Sequence, residues 1–179
     1  MTKIFLILLL FSFIELKADQ NDPRLNTLFE SLQHPESTNS HDKIIEEIWL
    51  VWNEIDNPYT QRIMDSMPLY FASQKYIEAL EVLNKIIEEF PNYSEAYNKR
   101  ATILFILGRY SSSMVDIKNT LDLEPRHFGA LGGMARILIY YEKYHDAIEV
   151  YNKMKLIMPH DETIDIKINI VKENILVKT

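Results

Sequence analysis

Cysteine is absent from the 179 residues, which excludes disulfides, thiolate metal sites, cysteine nucleophiles and lipid attachment through sulfur. Glycine occurs only 4 times and proline 7 times, too little backbone punctuation for a sheet of many tight turns, so an all-α chain is expected. No block of lysine and arginine offsets the formal charge of -7. Such a surface repels phosphate backbones and anionic lipid, so nucleic acid is not an expected partner. Catalytic motifs are missing too: there is no GxSxG, HExxH, GxGxxG, P-loop or calcium loop. His34, His41, His127, His145 and His160 never fall in the close pairs that a helical zinc site needs. Neither enzyme activity, a cofactor nor a metal ion is expected.

The one long apolar run is Ile4 to Ile14, behind Lys3 and ahead of Glu15 and Lys17. It is much shorter than the roughly 20 residues that cross a bilayer. Residues 1–18 therefore read as a secretory signal ending at Ala18, with Leu16 larger than the small residue usual two positions before it. The expectation is an exported, periplasmic or extracellular chain with no membrane span after cleavage. Loss of Lys3, Lys17 and Glu15 makes that chain one unit more negative.

Prolines set a ruler. Pro91, Pro125 and Pro159 stand 34 residues apart, each closing an amphipathic run. Tyr76, Tyr110 and Tyr144 keep the same stride, as do the small residues Ala79, Ser113 and Ala147 and the core positions Leu83, Ile117 and Tyr151. Each unit predicts two helices: the small residue lets them approach, and proline ends the second by removing an amide donor. The middle unit predicts helices over 94–107 and 111–124 with Gly108 at the turn; the third has Glu142 there. In the first unit Pro68 falls late in the first helix, predicting a kink or an early end.

Outside the ruler, Asp22-Pro23 is a helix-start signal for RLNTLFESLQ. A second helix over 41–55 presents Ile44, Ile45, Ile48, Trp49 and Trp52. The pair is expected to cap the first unit. Asp161 can cap a helix over the last residues, although Ile164, Ile166, Ile168 and Ile170 alternate as a strand would. The division is thus 1–18 signal, 19–59 N-terminal capping helices, 60–159 three repeats (60–93, 94–127 and 128–161 by register) and 160–179 C-terminal capping helix.

Three residues or groups stand out from this pattern. Gly129, Gly132 and Gly133 gather at the start of one helix, where each costs about 1 kcal/mol, so either close packing or a ligand floor must compensate. Arg126 and His127 lie in the preceding loop, where they can satisfy carbonyls or grip a partner's carboxylate. Arg100 takes a position facing its own second helix that is normally aliphatic, with Asp116 as its candidate ion-pair partner.

The 34-residue period with these columns resembles the tetratricopeptide repeat family over about residues 60–159. DPRLNTLFESLQ, EIWLVW, SEAYNKRAT and LEPRHFGAL further resemble a group of exported repeat proteins of Gram-negative bacteria. The resemblance implies a short right-handed superhelix of antiparallel hairpins that binds a protein or peptide in its concave trough. By register that trough is lined by Gln61, Met64 and Pro68, then Glu95, Asn98, Thr102 and Phe105, then Gly129, Gly132, Arg136 and Ile139. The expected partner-binding residues are Glu95, Asn98, Thr102, Phe105, Arg126, His127, Gly132 and Arg136. Family members that hold a C-terminal carboxylate use lysine and asparagine where this chain has Met64 and Pro68, so that mode is not expected. A homo-oligomer joined through array ends or troughs is the alternative.

Overall fold

The structure, a computed structural model, describes residues 19–36 and 38–177. The expected signal segment lies outside the described residues. Asp22 accepts a hydrogen bond from the Arg24 amide at 2.8 Å and Pro23 takes the first helical position, which starts α1 (Pro23–Gln33). Next come α2 (Thr38–Asn53) and α3 (Pro58–Ala72), the latter capped by Asn57, whose side chain accepts from the amides of Tyr59 and Thr60. Pro68 does not end α3 early: the helix runs on to Ala72, and the proline, lacking an amide hydrogen, is exposed.

Three hairpins follow the ruler in space. They pair α3 with α4 (Tyr76–Glu89), α5 (Ser94–Ile106) with α6 (Tyr110–Leu123), and α7 (Phe128–Tyr140) with α8 (Tyr144–Ile157). Ala79, Ser113 and Ala147 are buried where the paired helices approach; the Ser113 hydroxyl donates to the Ala101 carbonyl at 2.7 Å, so its burial leaves no polar group unpaired. Phe90, Glu124 and Met158 leave the helical region just before each proline, as the steric demand of the ring requires.

The turns inside the hairpins repeat as well. Gln74, Gly108 and Glu142 all have positive φ, at 53°, 71° and 59°. Each sits in the same closing motif: the Arg109 amide donates to the Leu104 carbonyl at 2.8 Å and Gly108 to Phe105 at 2.9 Å, with Lys75 on Tyr70 and Lys143 on Leu138 doing the same. Only Gly108 is free of the Cβ strain of that region. Gln74→Gly is therefore expected to raise stability by about 1 kcal/mol, read as a higher urea midpoint with an unchanged slope.

At the C-terminal end, Asp161 accepts from the Thr163 amide at 2.9 Å and α9 (Glu162–Val177) packs on α8. Ile164, Ile168 and Val171 are buried at helical spacing while Ile166 and Ile170 stay exposed. The strand-like alternation is therefore resolved as a helix with one face covered.

The first two helices take an unexpected place. The α1–α2 hairpin folds back on the array, with α2 against α5 and α1 against α8. Its Leu25, Phe29, Leu32, Ile48, Val51 and Trp52 join Phe128, Leu131, Ala135, Val150, Tyr151, Met154, Ile164, Ile168 and Val171 in one core. A second core, from Ile55 to Leu104, fills the first hairpin and its junction with α5. The hairpin thus bonds the beginning of the described chain to the third unit and covers part of the trough.

Candidate functional site

Register places the first helices of successive units side by side, and α2 crosses them near their N-terminal ends. Glu95, in the first turn of α5, and His127, which precedes α7, are both beneath this crossing and fully buried. The Ala130 amide donates to His127 Nδ1 at 3.2 Å, so the ring carries its hydrogen on Nε2 and donates it to Glu95 Oε2 at 3.1 Å. Asn98 Nδ2 donates to the same oxygen at 2.9 Å, and Lys99 Nζ lies 2.9 Å from Oε1. Trp52 covers the imidazole face in parallel, 4.1 Å between centroids and 10° between planes. Burial alone would raise the Glu95 carboxyl, but the Lys99 charge and the His127 hydrogen bond outweigh it and hold the group below its ordinary value. Glu95 and His127, both expected to face a partner, are instead internal supports joining two repeats to α2.

A depressed carboxylate pKa contributes stability that is complete above the unfolded value, near pH 4.5, and is lost as pH falls through the folded one. Urea midpoints are accordingly expected to fall on acidification from about pH 6 to about pH 3, with a shallower fall for Glu95→Gln, which has no carboxylate to protonate. Equal slopes for the two proteins would remove Glu95 from this role.

Arg126 is also committed internally. It makes a two-pronged pair with Glu124, with Nε and Nη2 each 2.9 Å from the carboxylate, donates to Asn26 Oδ1 at 3.1 Å and lies over the Phe29 ring at 4.2 Å. It fastens the loop before α7 both to Glu124, the residue that ends α6, and to α1. Arg100 holds Asp116 as its position suggested, through two bonds of 2.7 Å, with Asn84 taking a third donor at 2.8 Å. Gln61 bridges α3 to the end of α2, accepting from the Ile55 amide at 2.8 Å and donating to the Asn53 carbonyl at 3.2 Å, while Met64 is buried.

What stays open is the middle of the trough. Trp49, Asn98, Thr102, Phe105, Ile117, Gly129, Gly133 and Arg136 line a cleft of about 240 Å³ between α5 and α7, floored partly by α6. Thr102 and Arg136 are exposed, and Phe105 is half-buried. Among the described residues no carboxylate lies within ion-pair distance of Arg136. Burial pushes the Tyr151 hydroxyl up, and the Arg136 charge partly opposes this. From the cleft an aromatic ledge continues through Phe105 and Tyr110, 5.2 Å apart, to Tyr140, 4.2 Å further, with Tyr140 and Tyr141 both about half exposed.

The three glycines now separate. A Cβ on Gly129 would lie 2.5 Å from Trp49 Cη2, so α2 can seat its indole only on a bare backbone. On Gly133 it would meet Ile117 Cδ1 at 3.2 Å, while on Gly132 it would meet nothing within 4 Å. Gly129→Ala is expected to lower stability by about 1–3 kcal/mol through overpacking, whereas Gly132→Ala is expected to raise it by about 1 kcal/mol through helix propensity. Thermal unfolding of the two variants checks the opposite signs.

Of the eight expected contact residues, the structure brings Asn98, Thr102, Phe105 and Arg136 together at this cleft, leaves Gly132 open on α7 nearby, takes Glu95 and His127 into the interior and commits the half-buried Arg126 to Glu124 and α1. Trp49 was legible in the sequence only as a helix face, because its role as a cleft wall depends on where α2 docks. Tyr140 and Tyr141 follow the last repeat position of α7 and carry no signal separating a ledge from ordinary hairpin aromatics. Among the described residues no group of three metal-ligating side chains is placed to hold an ion, and no helix is long and apolar enough to cross a membrane.

No protein-family model matches the chain. It is 33% identical over 152 residues to a TPR repeat-containing protein of Rhizobium etli, covering 85% of this chain and 74% of that protein. To Hsp70-Hsp90 organizing protein 3 of Arabidopsis thaliana it is 27% identical over 84 residues, 47% of this chain and only 15% of that protein. In shape it is similar to the first TPR of Spaghetti (RPAP3) bound to the HSP90 peptide SRMEEVD, with a TM-score of 0.58 at 17% identity, over 63% of this chain and 91% of that one.

Proposed function

Since the chain belongs to the family of tetratricopeptide-repeat proteins, we propose that it is a non-catalytic binding module that holds a segment of another protein in the open middle of its trough. The observation that carries this reading is the cleft between α5 and α7. It has an apolar floor, exposed polar groups at its rim and an arginine with no acid partner among the described residues, whereas the rest of the trough near α2 is closed by the chain itself. The Spaghetti domain, which shares the fold, is bound to an HSP90 peptide, and this supports a peptide-binding reading here. With α2 seated on Gly129, the accessible stretch is short, which suits a few residues of an extended segment more than a long helix. The apolar run of residues 4–14 supports placing this activity in an exported compartment.

A photoreactive phenylalanine analogue at Thr102, compared with one at Val115 on the exposed outer side of α6, tests the site. Incubation with an unbiased displayed peptide library should give crosslinks from position 102 that the selected free peptides compete away. Selected peptides that crosslink equally from position 115, or never from 102, would overturn the reading. The N-terminal mass of the protein recovered from the envelope tests export: an intact Met1 there would contradict cleavage.

A further inference from the structure

We infer that the segment held in this cleft carries a bulky apolar side chain two residues from a carboxylate, the apolar group entering between Trp49 and Phe105 and the carboxylate pairing with Arg136. The inference rests on the trough-binding reading and specifies the ligand it would take.

The floor is apolar and low because Gly133 has no side chain where the cleft meets Ile117. An apolar side chain entering this space of about 240 Å³ would release water from apolar surface. Aromatic walls from Trp49 and Phe105 stand on separate helices, so their separation is set by the docking of α2 and does not have to be organised by the ligand. Among the described residues, Arg136 is the only charged one lining the cleft. Arg100 and Arg126 each spend their forks on internal acids, Asp116 and Glu124, while Arg136 presents its fork to solvent at the rim. Asn98 uses one side-chain donor on Glu95, leaving its amide oxygen as an acceptor for a bound backbone amide. In an extended segment, residues two apart project to the same side, so an apolar residue and an acid at that spacing reach floor and rim together. The acid is a side chain within the segment, and a free C-terminus plays no part.

The test uses short, end-capped Ser/Gly peptides, fluorescently labelled and read by anisotropy. They contain Phe-Ser-Glu, Phe-Ser-Gln, Ala-Ser-Glu or Phe-Ser-Lys. The Phe-Ser-Glu probe should bind best, with at least about tenfold loss on changing its Glu to Gln or its Phe to Ala. Arg136→Glu should weaken Phe-Ser-Glu by a similar factor and strengthen Phe-Ser-Lys, a reversal that partial unfolding cannot produce. A matched Phe-Ser-Glu probe with a free C-terminal carboxylate should bind no more tightly than its amidated form. Phe-Ser-Glu failing to bind, equal binding of the Glu and Gln probes, no gain for the Lys probe on Arg136→Glu, or tighter binding of the free carboxylate would each overturn the inference. If library peptides still crosslink to position 102 in that case, only the ligand chemistry is wrong; if they do not, the trough-binding reading falls as well.

Discussion

Trp52→Ala is expected to lower unfolding free energy by about 3–5 kcal/mol, the range for removing a large aromatic from a packed core. The ring has no exposed area, lies flat on His127 and is 4.8 Å from Phe128 and 5.9 Å from Phe29. Its indole nitrogen has no hydrogen-bond partner among the described residues, so its contribution is packing alone. Loss of the ring should uncouple the α1–α2 hairpin from the third unit before the repeats themselves unfold. Hydrogen exchange should therefore quicken across residues 23–53 while α6 and α8 stay protected. Trp52→Phe keeps a ring on the imidazole and removes the unpaired N–H, and should recover more than half of the lost stability. An alanine variant within about 1 kcal/mol of the parent would mean the hairpin is not fastened at this point.

Arg100→Leu is expected to cost about 3–5 kcal/mol, chiefly because it strands the Asp116 carboxylate, whose side chain is 3% exposed. The Asp116 hydrogen bond raises the Arg100 pKa and burial opposes it, so the guanidinium stays charged at neutral pH. Replacing both residues by leucine should restore most of the loss. The same register position holds Met134 in the following unit, so an aliphatic pair suits the surrounding packing. Urea unfolding of the two single variants and the double variant gives the coupling directly. A double variant as unstable as Arg100→Leu would show that the guanidinium contributes packing or Asn84 contacts that leucine cannot replace.

Much of the architecture was legible because its causes are local. A proline forces the residue before it out of helical geometry, a small residue permits helix approach, and an Asp-Pro pair starts a helix wherever it occurs. These three devices located most of the helices, with shifts of a few residues at their ends. Pro68 shows the limit: a proline late in a helix predicts a kink or an early end, but the helix runs on to Ala72 with the proline exposed. The two non-glycine turn residues show another, since Gln74 and Glu142 adopt the conformation of Gly108 within the same closing hydrogen bonds.

For the candidate site the division is sharper. Arg100 with Asp116 could be anticipated because both partners belong to one hairpin of fixed stride. Glu95 and His127 could not be separated from a binding face, because their burial depends on α2 arriving from far along the chain, and Arg126 gains its Asn26 and Phe29 contacts only when α1 docks.

By itself, then, the sequence determined the helical class, the 34-residue stride and the pairing of helices within each unit, since these follow from backbone sterics and periodic burial over short distances. Tertiary structure alone decided where the first two helices dock, and with that which polar groups became internal supports and which part of the trough remained open. Apolar faces such as those of Trp49 and Trp52 declare that they must be covered; they do not declare by what, because burial of apolar surface is non-directional and the choice of partner rests on shape complementarity across the whole fold.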